Sequence, residues 1–136
     1  LIYLLNLGAY LHYYFRVFPK KAAADFQDGY LEAFQYAQKY EKGLNGYPEK
    51  NKIVFTDQYG QPYIYALFVR KTNPIWYQGG SLRKYLFIPD INQTDLARDN
   101  AVIVAGQDQL EDKEDQAEKI IYGADGQVRF RIFVTD

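Results

Sequence analysis

Lys52-Ile-Val-Phe-Thr-Asp-Gln-Tyr-Gly-Gln-Pro62 decides the fold class. Its first five residues make the short apolar run that fills a buried strand, and Asp57 to Pro62 is a cluster of turn formers. Proline at position 62 suits the first turn of a helix, where its missing N–H is no loss. Ile64, Leu67 and Phe68 then share one face of a helix predicted over 61–71. Strand, turn and helix in that order open a strand–helix–strand unit. The chain is therefore expected to be a single α/β domain, a mixed sheet with helices packed on it.

Downstream, Tyr85-Leu-Phe-Ile88 places a strand over 84–88, and Ala101-Val-Ile-Val-Ala105 a strand over 101–105. The second is apolar on both sides, which predicts a central position covered on both faces. A loop containing Asn73-Pro74 and Gly79-Gly80 separates the helix from these strands. Residues 107–118 are mostly charged and read as a short solvated helix or turn. Gly123-Ala-Asp-Gly126 lies between two strand patterns, 118–123 and 127–134, and so predicts a C-terminal antiparallel hairpin. Val128-Arg-Phe-Arg-Ile132 alternates apolar with charged residues, which predicts one wet face and an edge or outer strand.

Upstream, Ala23, Phe26, Tyr30, Phe34 and Ala37 recur at helical spacing. One amphipathic helix is predicted over 20–42, with Pro19 at its start, Gly43 at its stop, and Asp25, Asp28 and Glu32 together on another face. Leu44 to Asn51 is a loop. Leu1 to Phe18 differs from the rest: its polar residues are Asn6, His12 and Arg16, and apolar side chains fall on every face of a projected helix. At ~1.5 Å per residue it reaches roughly 27 Å, just short of a bilayer. Tyr10, Tyr13, Tyr14 and Phe15, followed by Arg16, Lys20 and Lys21, form the pattern of an aromatic belt. Residues 1–18 are thus expected to be the end of a last transmembrane helix and 19–136 a soluble domain. A buried or dimer-forming first helix is the alternative. The absence of methionine, even at position 1, fits the C-terminal part of a larger polytopic protein.

Composition removes several function classes. The 136 residues carry a net charge of −1, so no basic excess points to nucleic acid. There are no cysteines, hence no disulfides, thiol nucleophiles or cysteine metal sites. His12 is the only histidine and Ser81 the only serine, and no nucleophile-elbow motif surrounds Ser81. The acidic residues between Asp108 and Glu118 lack the glycine and ligand alternation of a calcium loop. No catalytic residue, metal site or cofactor is expected. Asn92-Gln93-Thr94 is an N-glycosylation sequon, a short motif.

The candidate ligand site is Asp57, Gln58, Tyr59 and Gln61 with Tyr63 and Trp76 on its rim, at the carboxyl end of the first strand. Tyr and Trp offer flat apolar area for a sugar ring, and Asp and Gln offer donors and acceptors. Turn and capping chemistry accounts for Thr56, Asp57, Gly60 and Pro62 without a ligand.

Asp57-Gln-Tyr-Gly-Gln-Pro-Tyr-Ile-Tyr-Ala-Leu-Phe68 resembles the C-terminal extracytoplasmic region of bacterial membrane glycosyltransferases of the dolichyl-phosphate-mannose–protein mannosyltransferase-like class, family 39. Tyr14-Phe15, Phe18-Pro19, Phe26-Gln-Asp-Gly-Tyr30, Lys52-Ile-Val-Phe-Thr56 and Asp125-Gly126 are similar to the same region. The resemblance runs from about Tyr10 to the end. It implies a domain following a final membrane helix, outside the cytoplasm, in a protein that transfers sugar from a polyprenyl-phosphate donor. The family's catalytic acid lies in an early external loop with no counterpart here, so the domain is expected to be accessory and non-catalytic. Its implied partners are the membrane, the transmembrane part of the same protein, and a glycan or polyprenyl-phosphate sugar. The basic trio Arg16, Lys20 and Lys21 points the other way, since positive flanks favour the cytoplasmic side. A stand-alone extracytoplasmic module that binds a glycan, lipid head group or peptide is the rival reading. A free-standing α/β enzyme is a third.

Overall fold

A computed structural model of the chain describes residues 1–23, 27–77 and 82–136, the side chain of Trp76 excepted. Its strands are β1 (Lys52–Thr56), β2 (Tyr85–Ile88), β3 (Ala101–Gly106), β4 (Lys119–Tyr122) and β5 (Val128–Val134). They form one mixed sheet in the order β2-β1-β3-β5-β4. β1 pairs in parallel with β2 and β3, while β5 runs antiparallel to both β3 and β4. The strand limits differ from the sequence reading by no more than one residue at any end.

Period-two alternation sorts the side chains into two layers. Ile53, Phe55, Val102, Val104, Phe130 and Ile132 face one side. There they meet α3 (Tyr30–Lys42) through Tyr30, Ala33, Phe34, Ala37 and Tyr40, and α4 (Pro62–Val69) through Ala66. Val54, Ala101, Ile103, Ala105 and Phe133 face the other side. Among the described residues no α-helix supplies that second core: Ile91, Leu96, Leu110 and Ala117, from the connections between strands, cover it instead. β3 is buried along its whole length, as its two-sided apolar pattern requires.

Aromatic rings dominate the first core. Phe34 lies flat on Phe55, with centroids 3.9 Å apart and planes within 4°. Tyr30 stacks on Tyr65 at 5.1 Å and meets Phe130 edge-on at 4.8 Å. Two polar clusters close the rim of this layer. Tyr36 donates to Glu118 Oε1 at 2.7 Å, and Tyr40 donates to the same oxygen. Glu41 is buried but accepts from Tyr85 at 2.9 Å and from Arg70 Nε at 3.0 Å.

Three sequence expectations need correction. The helix predicted over 20–42 is two helices: α2 (Phe18–Ala22) ends early, and α3 starts only after a turn at Gln27–Gly29. Gly29 has φ 90°, and a β-carbon there would meet Arg129 Cβ at 3.1 Å and Ile121 Cγ2 at 3.3 Å. The chain therefore needs both a left-handed bend and the absence of a side chain at this position. Asp28 and Glu32 do not share a helix face, because Asp28 lies in the turn before α3. Asp28 Oδ2 accepts from the Ala124 amide at 2.6 Å, and Glu32 pairs with Lys119 at 2.7 Å. Asp25 and Phe26 lie outside the described residues, as do Gly79, Gly80 and Ser81.

Second, β5 is neither an edge nor wet on one face. It lies between β3 and β4, with Arg129 only 7% and Arg131 only 5% exposed. Arg131 is buried at acceptable cost because its guanidinium reaches Glu114 Oε2 at 2.7 and 2.8 Å and the Gln107 carbonyl at 2.6 Å. Third, the loop around Asn73-Pro74 contains a short helix, α5 (Pro74–Tyr77), whose start is capped by Asn73 Oδ1 accepting from the Ile75 amide at 2.9 Å.

The amino-terminal segment stands apart. Helix α1 (Ile2–His12), a stretch of π-helix (Tyr13–Val17) and α2 follow one another without a break. Not one residue of α1 is buried: Tyr3 is 90%, Leu4 70% and Leu5 66% exposed. Tyr10, Tyr14 and Phe18 stack along one side at 5.9 and 6.0 Å, with Lys21 Nζ 5.7 Å from the Tyr13 ring. No helix among the described residues is long and apolar enough to cross a membrane.

The ring stack sets the first test. Phe34→Ala removes the side chain that joins α3 to β1 and leaves a cavity, so a loss of about 3–5 kcal/mol is expected in denaturant unfolding. The exposed Phe68→Ala serves as the control, with a change within about 0.5 kcal/mol.

Candidate functional site

The connection from β1 through α4 and α5 places β2 on one side of β1, and the next connection places β3 on the other. The loops leaving β1 and β3 therefore diverge at the carboxyl end of the sheet, the position where open α/β sheets form a ligand crevice. The segment 57–61 occupies it, as the sequence predicts.

Most of that crevice is filled by the chain itself. The Tyr59 ring crosses from the β1 loop to the β3 loop, and its hydroxyl accepts from the Gln107 amide at 2.6 Å. Gly106 allows the crossing: a β-carbon there would sit 2.9 Å from the Tyr59 hydroxyl and 3.0 Å from Gln58 Oε1. Gln27 Nε2 donates to the Tyr59 carbonyl at 2.9 Å and ties the turn before α3 to the same loop. What remains is a cavity of about 40 Å³ lined by Gln27, Asp28, Tyr30, Tyr59, Gln107 and Arg129. That is room for about one water molecule, whose share of liquid volume is roughly 30 Å³, and none for a sugar ring.

Two buried polar atoms, the Tyr30 hydroxyl and Arg129 Nε, have no hydrogen-bond partner among the described residues. A single water in the cavity would have the polar neighbours it needs. Arg129 is otherwise satisfied, by Asp125 Oδ2 at 2.5 Å and Gln107 Oε1 at 3.2 Å. Its position comes from a β-bulge. Ile121 faces Phe130 and Tyr122 faces Val128, so Arg129 is the extra residue and turns into the crevice. The Asp125 carboxyl is held below the usual carboxylate range, chiefly by the Gln127 amide and further by Arg129.

The sequence-predicted residues separate into three groups. Gln58 and Tyr59 meet at the β3 loop. Asp57 is half-buried, with its amide donating to the Ile88 carbonyl at 3.0 Å, which belongs to the pairing of β1 with β2. Gln61 and Tyr63 are exposed at the start of α4, where the Tyr63 hydroxyl donates to Gln61 Oε1 at 3.4 Å. The Trp76 side chain lies outside what the structure describes. The turn chemistry is present: the Gln58 amide donates to Thr56 Oγ1, the Gly60 amide donates to the Asp57 carbonyl, and Gly60 has φ 131°. Sequence reading missed Gln27, Tyr30, Gln107 and Arg129. The signal for Arg129 was its charge inside an apolar strand directly after Asp125-Gly126, a pattern that also fits a solvated face.

The charges of the crevice are engaged within the chain, Asp28 by the Ala124 amide and Arg129 by Asp125. Among the described residues no three acidic or histidine side chains converge to hold a metal ion. Comparison with known proteins finds no family model, no curated protein and no solved structure that matches the chain.

Two outcomes are expected here. Tyr59→Phe leaves the partly buried Gln107 amide without its acceptor and should lower stability by about 1 kcal/mol, read from the denaturant midpoint. Burial pushes the hydroxyls of Tyr30 and Tyr59 above their ordinary value of 10.0, and those of Tyr36, Tyr40 and Tyr85 likewise. In the unfolded chain these groups lose protons near pH 10, while the folded chain retains them. Stability should therefore be flat below about pH 9 and fall as pH climbs past 10. Urea midpoints between pH 8 and pH 12 check this, and an unchanged midpoint would refute it.

Proposed function

We propose that this chain is a membrane-associated, non-catalytic accessory domain of a glycosyltransferase that draws sugar from a polyprenyl-phosphate donor, held on the extracytoplasmic side. The observation that carries the membrane part is the bare helix. Leu1, Ile2, Tyr3, Leu4, Leu5, Leu7, Tyr10 and Leu11 form one continuous exposed run, whereas beyond Ala22 the chain builds two cores and its exposed apolar side chains, such as Phe68 and Ile75, are scattered. Each large aliphatic side chain moved out of water contributes about 1.5–3 kcal/mol, so an aqueous surface is a poor resting place for this segment. A helix suits lipid because its backbone groups are paired internally. Asn6 adds to that by donating its side-chain amide to the Ile2 carbonyl at 3.1 Å. The stack of Tyr10, Tyr14 and Phe18 beside Arg16, Lys20 and Lys21 then falls at the lipid–water boundary.

The glycosyltransferase part rests on the resemblance carried by Asp57 to Phe68 and its flanking motifs. The filled crevice favours a supporting role over a catalytic one, since no acid–base pair stands open to a substrate there. A glycan approaching this end of the sheet meets Gln61 and Tyr63, which are exposed.

Flotation with phospholipid vesicles tests the membrane part. The chain should float with vesicles, and a Leu4→Ser, Leu7→Ser, Leu11→Ser variant should stay in solution while unfolding at the same denaturant concentration. In whole cells, added protease should reach the domain from outside. A protected domain, or a variant that floats as well as the parent, would overturn the reading.

A further inference from the structure

We propose that Asn92 is an acceptor for N-linked glycosylation, an inference that rests on the extracytoplasmic placement proposed above. Asn92-Gln93-Thr94 lies in the connection after β2, with all three side chains exposed. β2 is one edge strand of the sheet and β4 the other. The aromatic end of the amino-terminal helix sits by the β4–β5 turn, where Tyr14, Phe15, Phe18 and Ala124 line one groove. Ile91 and Leu96, on either side of the sequon, pack over the sheet face formed by Val54, Ile103 and Phe133, and Gln93 bonds to Asp112, so the sequon lies over that face. None of its residues lines the groove beside the amino-terminal helix, and a transferring enzyme can approach it without displacing that helix.

The geometry of the turn supplies the chemistry. Asn92 Oδ1 accepts from the Thr94 amide at 2.9 Å and from the Thr94 hydroxyl at 2.5 Å. Two donors on the carbonyl oxygen leave the amide nitrogen as the free end of the side chain, and Asn92 Nδ2 donates to no acceptor among the described residues. The backbone is held as well: the Asn92 amide donates to Asp95 Oδ2 at 3.0 Å, and Asp95 is fixed by Arg98 at 2.8 Å. The sequon residues are thus presented on a surface turn, with the hydroxyl that the motif requires already bonded to the acceptor side chain.

The co-substrate is a polyprenyl-diphosphate oligosaccharide. In the transfer, Asn92 Nδ2 forms a bond to C1 of the first sugar. The bond from C1 to the phosphate oxygen breaks, its electron pair leaves with the polyprenyl diphosphate, and the amide proton passes to a base of the transferring enzyme. The competing reading is purely structural: Asn92 Oδ1 shapes the turn before the short 3₁₀ segment Asp95–Ala97. Asn92→Asp separates the two, because a carboxylate oxygen retains the turn while the nucleophilic nitrogen is gone.

The test uses the full chain purified from its own cells, with mass spectrometry of the tryptic peptide spanning 85–98. A glycan mass on that peptide is expected in the parent and in Thr94→Ser, and none in Asn92→Asp or Thr94→Val. The unfolding midpoint of Asn92→Asp is expected to match that of the parent. Whole-cell protease access runs in parallel. An unmodified peptide from a domain that protease reaches overturns the glycosylation proposal alone. A domain that protease cannot reach overturns both readings.

Discussion

Phe34 on Phe55 is the contact on which the other packing depends. The two rings sit face to face with centroids 3.9 Å apart and planes nearly parallel, joining the middle of α3 to the centre of β1. Tyr30, one helical turn earlier, then reaches Phe55, Tyr65 and Phe130, which belong to β1, α4 and β5. One face of one helix therefore fixes the distance and tilt of three other elements. Offset or edge contacts are the usual preference for ring pairs, and Tyr30 with Phe130 follows it. The flat Phe34–Phe55 pair departs from that preference because Ala33 and Ala37 on the same helix face allow close approach to the sheet. Small residues on either side of a large one make α3 fit.

This dependence explains why the second face needs so little. β3 is buried along its length, yet its outer side is closed only by Ile91, Leu96, Leu110 and Ala117 from connecting segments. With α3 and α4 holding the sheet from one side, short 3₁₀ turns suffice on the other. They are kept in place by polar links: Gln109 Nε2 to the Pro89 carbonyl, Gln93 to Asp112, and Glu114 to Arg131. The charged stretch 107–118 is thus partly structural, since its Glu114 neutralises an arginine that the sheet has buried.

The elements that could be read from the sequence are those whose signal is local. Apolar runs bounded by turn formers gave five strands to within one residue, because burial on both faces leaves no other use for Ile53 to Phe55 or Val102 to Val104. Gly43, at φ 60°, ended α3 as its position suggested. The misses are long-range. Gly29 bends the chain because Arg129 and Ile121, about a hundred residues later, press against it. Arg129 and Arg131 alternate with apolar residues as a solvated strand would, and only Asp125, Gln107 and Glu114 make their burial affordable. The candidate site was legible as a place, the end of β1, but not as a shape. Nothing within residues 57–63 signals that the Tyr59 ring would cross to Gln107.

That crossing changes what this end of the sheet does. In an open α/β sheet the diverging loops after β1 and β3 leave room for a ligand. Here donors and acceptors of those loops are used on the chain itself, and with the hairpin turn and β5 they hold one short segment. Gln27 bonds to the Tyr59 carbonyl, Asp28 accepts from Ala124, and Gly29 lies against Arg129. Residues 27–29 are the turn from which the chain enters α3. The carboxyl end of the sheet is therefore the anchor for that entry, fixed at three consecutive residues to the β1 loop, the hairpin turn and β5. The chain is therefore held to the domain at Gln27–Gly29. Gln61 and Tyr63 lie at the start of α4, exposed on the surface rather than in a pocket.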